Sequence, residues 1–383
     1  MKLKKSKKIL MVFGTRPEAI KMASLYKEIY QDPSFEIELC ITAQHREMLD
    51  QVLHTFDIHP DYDLDLMKKN QNLYDLTADL LKNLKVPLEQ SKPDLVFVHG
   101  DTTTTLAAAL ASFYADIPVC HIEAGLRTYD ISKPFPEEMN RQVVSKLSKF
   151  HFCPTNESKR NLLSEGVEEQ NIAVTGNTVI DTLHSALKII KKNKNLEIGF
   201  RKKFQKKIAN NFLDEKYVLI TGHRRESFGL GFTNICEAIS KLADKFKDTR
   251  FIYPVHLNPN VQKPVKKILG KSANIYLIEP LEYLDFVYLL ENCYFVMTDS
   301  GGIQEEAPSL GKPVLVMRDK TERPEAIEAG TVKLVGSDFK KIYEGASQLI
   351  SDKTLYKKMS RSINPYGDGH ASERIRKYIG KIK

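Results

Sequence analysis

The chain has 383 residues, 42% hydrophobic and 28% charged, with a formal net charge of +8; this length points to two domains and this composition excludes disorder. Much of the positive excess lies in the first eight residues and in Lys-rich stretches at 188–207, with no aromatics interleaved on a known module, so no nucleic-acid partner is expected. Five cysteines form no C-x-x-C pair, no run reaches transmembrane length, and the apolar run at 9–13 is too short for a signal peptide, which together predict a cytoplasmic protein with no membrane partner.

Residues 9–13 read as a strand, followed by a turn at 14–18 and a helix to about Tyr30, with Pro17 well placed at its start. A strand at 37–42 and a helix at 46–56 follow, then a helix at 76–88 and a strand at 95–99. Gly100 and Asp101 turn into a helix that carries four threonines, 102–105, at its start. A strand at 119–122 ends at Glu123, and 126–138 is a polar loop bounded by Pro134 and Pro136. A helix, a short strand at 150–154 and a βα unit around 172–176 complete the first half. Residues 181–215 are helical and Lys-rich and connect to a second unit. Strands at 217–221, 250–254, 275–278 and 294–297 restart the alternation, and an amphipathic helix closes the chain at about 372–382. Strands alternating with helices imply parallel sheets in an α/β fold. The expected domains are 1–180 and 181–365, with the C-terminal helix, 366–383, returning to the first.

The densest polar stretch runs from 294 to 325. A strand leads into Thr298, Asp299 and Ser300; Gly301 and Gly302 supply a tight turn; 303–310 reads as a short helix closed by Gly311; and a second strand follows at 313–317. Free backbone N–H groups at such a helix start, with the helix dipole, favour an anion. Arg318 and Arg323 follow the next strand, and Glu305 and Glu306 stand where a carboxylate can accept from sugar hydroxyls. The stretch is neither a P-loop nor a dinucleotide fingerprint, and an ordinary strand-to-helix turn is the competing account.

Ligands of open parallel sheets bind at the carboxyl ends of the strands. Arg16, Gln44, Asp101, Glu123, Arg127, His223, His256 and 300–306 all fall there, and two such edges can face each other across a cleft. Carboxylates and a histidine in one cleft suit general acid–base work. Each has a structural alternative: Asp101 as the cap of the Thr-rich helix or an arginine partner, Glu138 as a cap or an arginine partner, His223 as a group bonded to a backbone carbonyl. The histidines lack H-x-x-x-H or H-x-H spacing, so no metal is expected, and no G-x-S-x-G elbow marks a nucleophilic serine.

The stretches FGTRPEAIKM (13–22), TAQHREMLDQVL (42–53), HGDTTTT (99–105), IEAGLRT (122–128), PEEMNR (136–141), GNTVID (176–181), TGHRRESFG (221–229) and 298–331 closely resemble the non-hydrolysing UDP-N-acetylglucosamine 2-epimerases of bacteria. The resemblance is collinear from about residue 9 to NPYGDG at 364–369. It implies a GT-B-like fold of two Rossmann-like domains and interconversion of UDP-GlcNAc and UDP-ManNAc without a cofactor. It also implies a homodimer that supplies ManNAc units for surface polysaccharide.

The same resemblance assigns roles. Asp101, Glu123 and Glu137 become the acid–base carboxylates, and His223 contacts the diphosphate or assists proton movement. Arg16, Ser300, Gly301 and Gly302 hold the diphosphate, with Lys21 anchoring the Arg16 helix region or touching phosphate. Glu306 takes the ribose, and Arg323 and Phe286 the uridine end. Gln44, Arg141, Arg224 and His256 match a site for a second UDP-GlcNAc that acts as an allosteric activator. One departure is Leu281, where many relatives carry Gln near the uracil. A GT-B UDP-sugar glycosyltransferase, which needs an acceptor, and a UDP-sugar sensor without turnover are the alternatives.

Overall fold

The computed structural model describes residues 6–42, 46–66, 68, 71–209, 211–222, 224, 228–321 and 323–382. The chain divides into two compact units, Met1–Thr182 with Tyr366–Lys383, and Leu183–Pro365.

In chain order the first unit contains β1 (Lys7–Phe13), α1 (Arg16–Tyr30), β2 (Phe35–Ile41), α2 (Arg46–Thr55), β3 (Tyr62–Asp63), α3 (Leu73–Ser91), β4 (Leu95–His99), α4 (Thr103–Tyr114), β5 (Val119–Ile122), α5 (Glu137–Leu147), β6 (Phe150–Cys153), α6 (Asn156–Ser164) and β7 (Ile172–Val174). α7 (Thr178–Lys192) carries the chain into the second unit. There follow α8 (Lys194–Lys207), β8 (Tyr217–Thr221), α9 (Leu230–Lys245), β9 (Arg250–Pro254), α10 (Pro259–Leu269), β10 (Ile275–Ile278), α11 (Tyr283–Asn292), β11 (Phe295–Thr298), α12 (Gly301–Ser309), β12 (Val314–Val316), α13 (Pro324–Glu328), β13 (Val332–Leu334), α14 (Phe339–Ser351) and α15 (Lys353–Ser360). α16 (Ala371–Ile379) belongs to the first unit, where Asp181 accepts from the N–H groups of Ala371 and Ser372, and Arg376 binds Glu28 and Asp32.

Both sheets are parallel, as the alternation of strands and helices predicts. The first has order β3-β2-β1-β4-β5-β6-β7 and the second β10-β9-β8-β11-β12-β13. The strand order reverses beside the first strand of each, so the switch points lie at the ends of β1 and β4 and at the ends of β8 and β11. β4 is buried over its whole length, Leu95–His99, and β11 likewise over Phe295–Thr298. Such strands read as continuous apolar runs because helices cover both faces. The side chain of a fully buried Leu, Ile or Phe in these strands contributes about 1.5–3 kcal/mol. All five cysteines are buried and free, at positions where burial raises the thiol pKa. Among the described residues no helix is long and apolar enough to cross a membrane, and no cluster of side chains could hold a metal ion.

Candidate active site

In the first unit the polar groups gather where β1, β4 and β5 end. Glu123 follows β5 with φ +62°, a conformation rare for a residue with a side chain. Its carboxylate forms an ion pair with Lys21 on α1 and accepts a 2.7 Å bond from Asn177 Nδ2. His99 Nε2, at the end of β4, is 3.9 Å away. Burial holds the His99 pKa down at about 4, so the imidazole next to Glu123 is neutral at pH 7. Strain of this kind persists only where surrounding contacts over-determine it.

Asp101 lies just beyond β4. Its carboxylate pairs with Arg141 of α5, and its backbone carbonyl accepts from Asn140 Nδ2 at 2.8 Å. The capping account of Asp101 is wrong. The cap of α4 is Thr102, whose Oγ1 accepts from the Thr105 N–H at 3.1 Å. Glu137, Asn140 and Arg141 stand at helix spacing i, i+3 and i+4 and so share one face of α5. Two of the three touch Asp101, and Glu137 Oε2 is buried with no hydrogen-bond partner among the described residues. Glu138 takes the structural role expected of it: fully buried, it accepts from the N–H groups of Thr128 and Tyr129 and pairs with Arg141 at 3.2 Å.

The start of α1 is a poor anion site. The N–H groups of Gly14 and Thr15 already donate to the carboxylate of Glu18, at 3.1 and 2.8 Å. Arg16 stands beyond them, half-buried, with Nη1 4.0 Å from Met48 Sδ. Lys21 pairs with Glu123 and so ties α1, the helix that begins at Arg16, to the end of β5.

In the second unit, α12 starts at Gly301, two residues earlier than the sequence suggests. Gly301 and Gly302 therefore form the first helical turn and are not the bend before it. The cap, Ser300, makes no side-chain bond to the helix, which leaves the first-turn N–H groups and its hydroxyl available to a ligand. Arg323 fills the space over Gly301, and its Nε donates to Glu305 Oε1 at 2.6 Å, both side chains buried. Glu305 thus holds Arg323. A Cβ at Gly302 would lie 3.4 Å from Glu306 Oε1, so Glu306 faces the same turn. Asp299 Oδ2 accepts from the Arg224 N–H at 2.8 Å. His256 is exposed and accepts from the Asn258 N–H, and Phe286 is half-buried on α11. Gln44 and His223 lie outside the described residues.

Comparison with known proteins decides the family. The sequence model described as UDP-N-acetylglucosamine 2-epimerase matches residues 27–380. The UDP-N-acetylglucosamine 2-epimerase of Yersinia pestis is 55% identical over 97% of this chain and 98% of its own length. That of Escherichia coli strain K12 is 54% identical over 96% and 97%. The chain belongs to the UDP-N-acetylglucosamine 2-epimerase family. It is an epimerase with a GT-B-like α/β fold: the crystal structure of the Neisseria meningitidis enzyme, bound to UDP-GlcNAc, matches with TM-score 0.92 and 53% identity over 98% of this chain and all of that one. A Methanocaldococcus jannaschii epimerase in complex with UDP-GlcNAc and UDP matches with TM-score 0.82 at 33% identity, over 97% of this chain and 99% of that one.

Within this epimerase the fold collects Lys21, Asp101, Glu123, Glu137 and Arg141 at one sheet edge, and Ser300, Gly301, Gly302, Glu306 and Arg323 at another. Arg141, expected at an activator site, sits on Asp101. Three residues at these edges, His99, Thr102 and Asn177, are not marked as partners by pattern, and Glu305 is marked for sugar hydroxyls and not as the partner of Arg323. Their motifs were legible, as HGDTTTT, GNTVID and GGIQEE. Their roles depend on neighbours far away in sequence.

Proposed function

We propose that the chain interconverts UDP-GlcNAc and UDP-ManNAc by eliminating UDP and adding it back. The proton on C2 is not acidic, because the adjacent carbon is an acetal. A carboxylate removes that proton as the C1–O bond breaks, and UDP leaves with the electron pair to give 2-acetamidoglucal. In the reverse sense a proton arrives at C2 on the opposite face and a UDP oxygen closes on C1. Such a path needs proton-transfer groups for two faces of one carbon and a firm hold on the departing anion.

The observation that carries the reading is the placement of two carboxylates, Asp101 and Glu123, at the ends of adjacent parallel strands, each paired with its own cation. Glu137, with a buried oxygen that no group among the described residues satisfies, supplies the third. His223 assists at the diphosphate, which Arg16, Ser300, Gly301 and Gly302 hold. Glu306 takes the ribose, and Arg323 with Phe286 the uridine. A second UDP-GlcNAc acts as an activator through Gln44, Arg141, Arg224 and His256. The enzyme works in the cytoplasm as a homodimer and supplies ManNAc for surface polysaccharide.

Incubation with UDP-GlcNAc in D₂O, followed by proton NMR, tests this. UDP-ManNAc appears, and deuterium enters C2, with no metal or NAD added. A requirement for an acceptor sugar would point instead to a glycosyltransferase. Stoichiometric release of free ManNAc would point to a hydrolytic enzyme.

A further inference from the structure

We infer that Glu18 is a positioning residue for Asp101, acting through the hydroxyl of Thr102. This rests on the reading of Asp101 as an acid–base group. The Glu18 carboxylate is fully buried where the ends of β1 and β4 meet. One oxygen accepts from the N–H groups of Gly14 and Thr15, at 3.1 and 2.8 Å. The other accepts from the hydroxyls of Thr102 and Thr105, at 2.7 and 3.2 Å. The Thr15 bond, with the Glu18 N–H donating back to Thr15 Oγ1 at 3.4 Å, is a capping box local to α1. The second pair reaches a different strand end, 84 positions away.

Thr102 is the residue next to Asp101, and its hydroxyl has two duties. It accepts from the Thr105 N–H, which fixes the start of α4, and it donates to Glu18. Three further bonds hold the same turn. The Gly100 N–H donates to the Ile122 carbonyl at 2.9 Å. His121 Nε2 bonds the Gly100 carbonyl at 2.7 Å, and Asn140 bonds the Asp101 carbonyl. The backbone that presents Asp101 is thus fixed before and at Asp101 by β5 and α5, and after it by Glu18. Space is tight as well: a Cβ at Gly14 would overlap Thr42 Oγ1 and stand 2.7 Å from Thr104 Oγ1. The β1 and β4 turns are in direct contact, and the carboxylate at their junction accepts from two N–H groups and the Thr102 hydroxyl, while the Thr105 hydroxyl is shared with the His99 carbonyl at 2.5 Å.

A carboxylate only accepts, so both hydroxyls must point their protons at Glu18 or share them with other acceptors. An amide in its place would offer N–H donors on one side and release the Thr102 proton. The turn would keep its cap and lose its tether. A displacement of about 1 Å at a proton-transfer group costs roughly a hundredfold in rate.

The experiment compares Glu18→Gln, Thr102→Val and Thr102→Ser in the full-length enzyme. It measures kcat and KM for UDP-GlcNAc epimerisation, UDP affinity by calorimetry, and melting temperature. We expect Glu18→Gln and Thr102→Val each to lower kcat by about ten- to a hundredfold, with UDP affinity within about twofold of wild type. Thr102→Ser, which keeps the hydroxyl, restores the rate. The Glu18→Gln/Thr102→Val double variant falls no lower than the worse single one, because both break one link. Full kcat in either folded single variant, or additive losses in the double, overturns the proposal. Should Glu18→Gln not fold, the Val and Ser variants at 102 decide alone. Asp101→Asn separates the two levels. If it is nearly inactive while Glu18→Gln and Thr102→Val are fully active, only the positioning role fails. If Asp101→Asn keeps full kcat, the acid–base reading itself fails.

Discussion

A Cβ added at Gly301 would stand 2.5 Å from Nη1 of Arg323 and 2.8 Å from its Cζ. The first residue of α12 is a glycine because a guanidinium occupies the side-chain position. That guanidinium cannot simply swing away, since Glu305 holds its Nε at 2.6 Å in a buried setting. In an ordinary helix interior, alanine would be favoured over glycine by about 1 kcal/mol. Gly301→Ala should do the opposite here. We expect a lower melting temperature and UDP binding weakened by roughly tenfold, the value of one charge-assisted hydrogen bond. Calorimetry with UDP checks it; a stabilised protein with unchanged UDP affinity would put the nucleotide site elsewhere.

The Arg323–Glu305 pair separates binding from folding. Removing one member of a buried ion pair costs about 3–5 kcal/mol, because the other charge is left in a low-dielectric interior. Replacing both with apolar residues of similar size is often close to neutral. Glu305→Ala should therefore lower stability severely, whereas Arg323→Met/Glu305→Leu should recover most of it. UDP affinity should be reduced in both. If the double variant binds UDP as wild type does, Arg323 is structural only.

Much of the scaffold was legible because its strands are apolar on both faces. The strands at 95–99, 217–221, 250–254 and 275–278 occupy the residues that pattern alone predicts. β3 and β13 escaped, being two and three residues long, too short to show a period. The start of α12 was misplaced because glycine pairs normally mark turns; here one glycine admits Arg323 and the pair opens the helix. The sheet edges carrying the site were legible from the rule that ligands sit at strand ends. The pairings were not. Lys21 and Glu123 are 102 positions apart, and Thr102 and Glu18 are 84 apart. No local pattern connects them; only the strand order β1-β4-β5 does.

The first unit should be acid-sensitive for a reason unrelated to catalysis. Burial lowers the pKa values of His99 and His151 to about 4 and that of His121 to about 3. In the unfolded chain they titrate near 6.5, so between about pH 6.5 and 4 the unfolded state binds protons that the folded state refuses. Stability is fully present above pH 6.5 and is lost as pH falls through that window. Glu18 and Asp181, whose pKa values burial raises, act with the opposite sign above their ordinary carboxylate range. His151 alone should account for about 2 kcal/mol of the difference between pH 7.5 and 5. Urea unfolding followed by circular dichroism at both values should show a smaller pH dependence in His151→Gln than in wild type. An identical pH dependence would mean that His151 binds protons alike in the folded and unfolded states, so that burial does not lower its pKa.

Asp101→Asn is the most direct trial of the proposed chemistry, since the structure removes its main confounder. Asn caps helices about as well as Asp, so a capping role would make the change mild, but Thr102 does the capping here. The substitution keeps size and most hydrogen bonding while removing a base. Arg141 loses one carboxylate partner and keeps Glu138 at 3.2 Å, so the fold should survive with a small drop in melting temperature. If Asp101 transfers or positions a proton at C2, kcat should fall by roughly 10²–10⁴. Incorporation of deuterium at C2 should slow in step, because exchange and epimerisation share the proton transfer. UDP affinity should hold, as the proposal assigns the nucleotide chiefly to Ser300, Gly302, Glu306 and Arg323. Glu123→Gln should lose comparable activity with a greater loss of stability, for it strips the buried partner of Lys21. Normal turnover and normal C2 exchange in Asp101→Asn would confine the acid–base chemistry to Glu123 and Glu137.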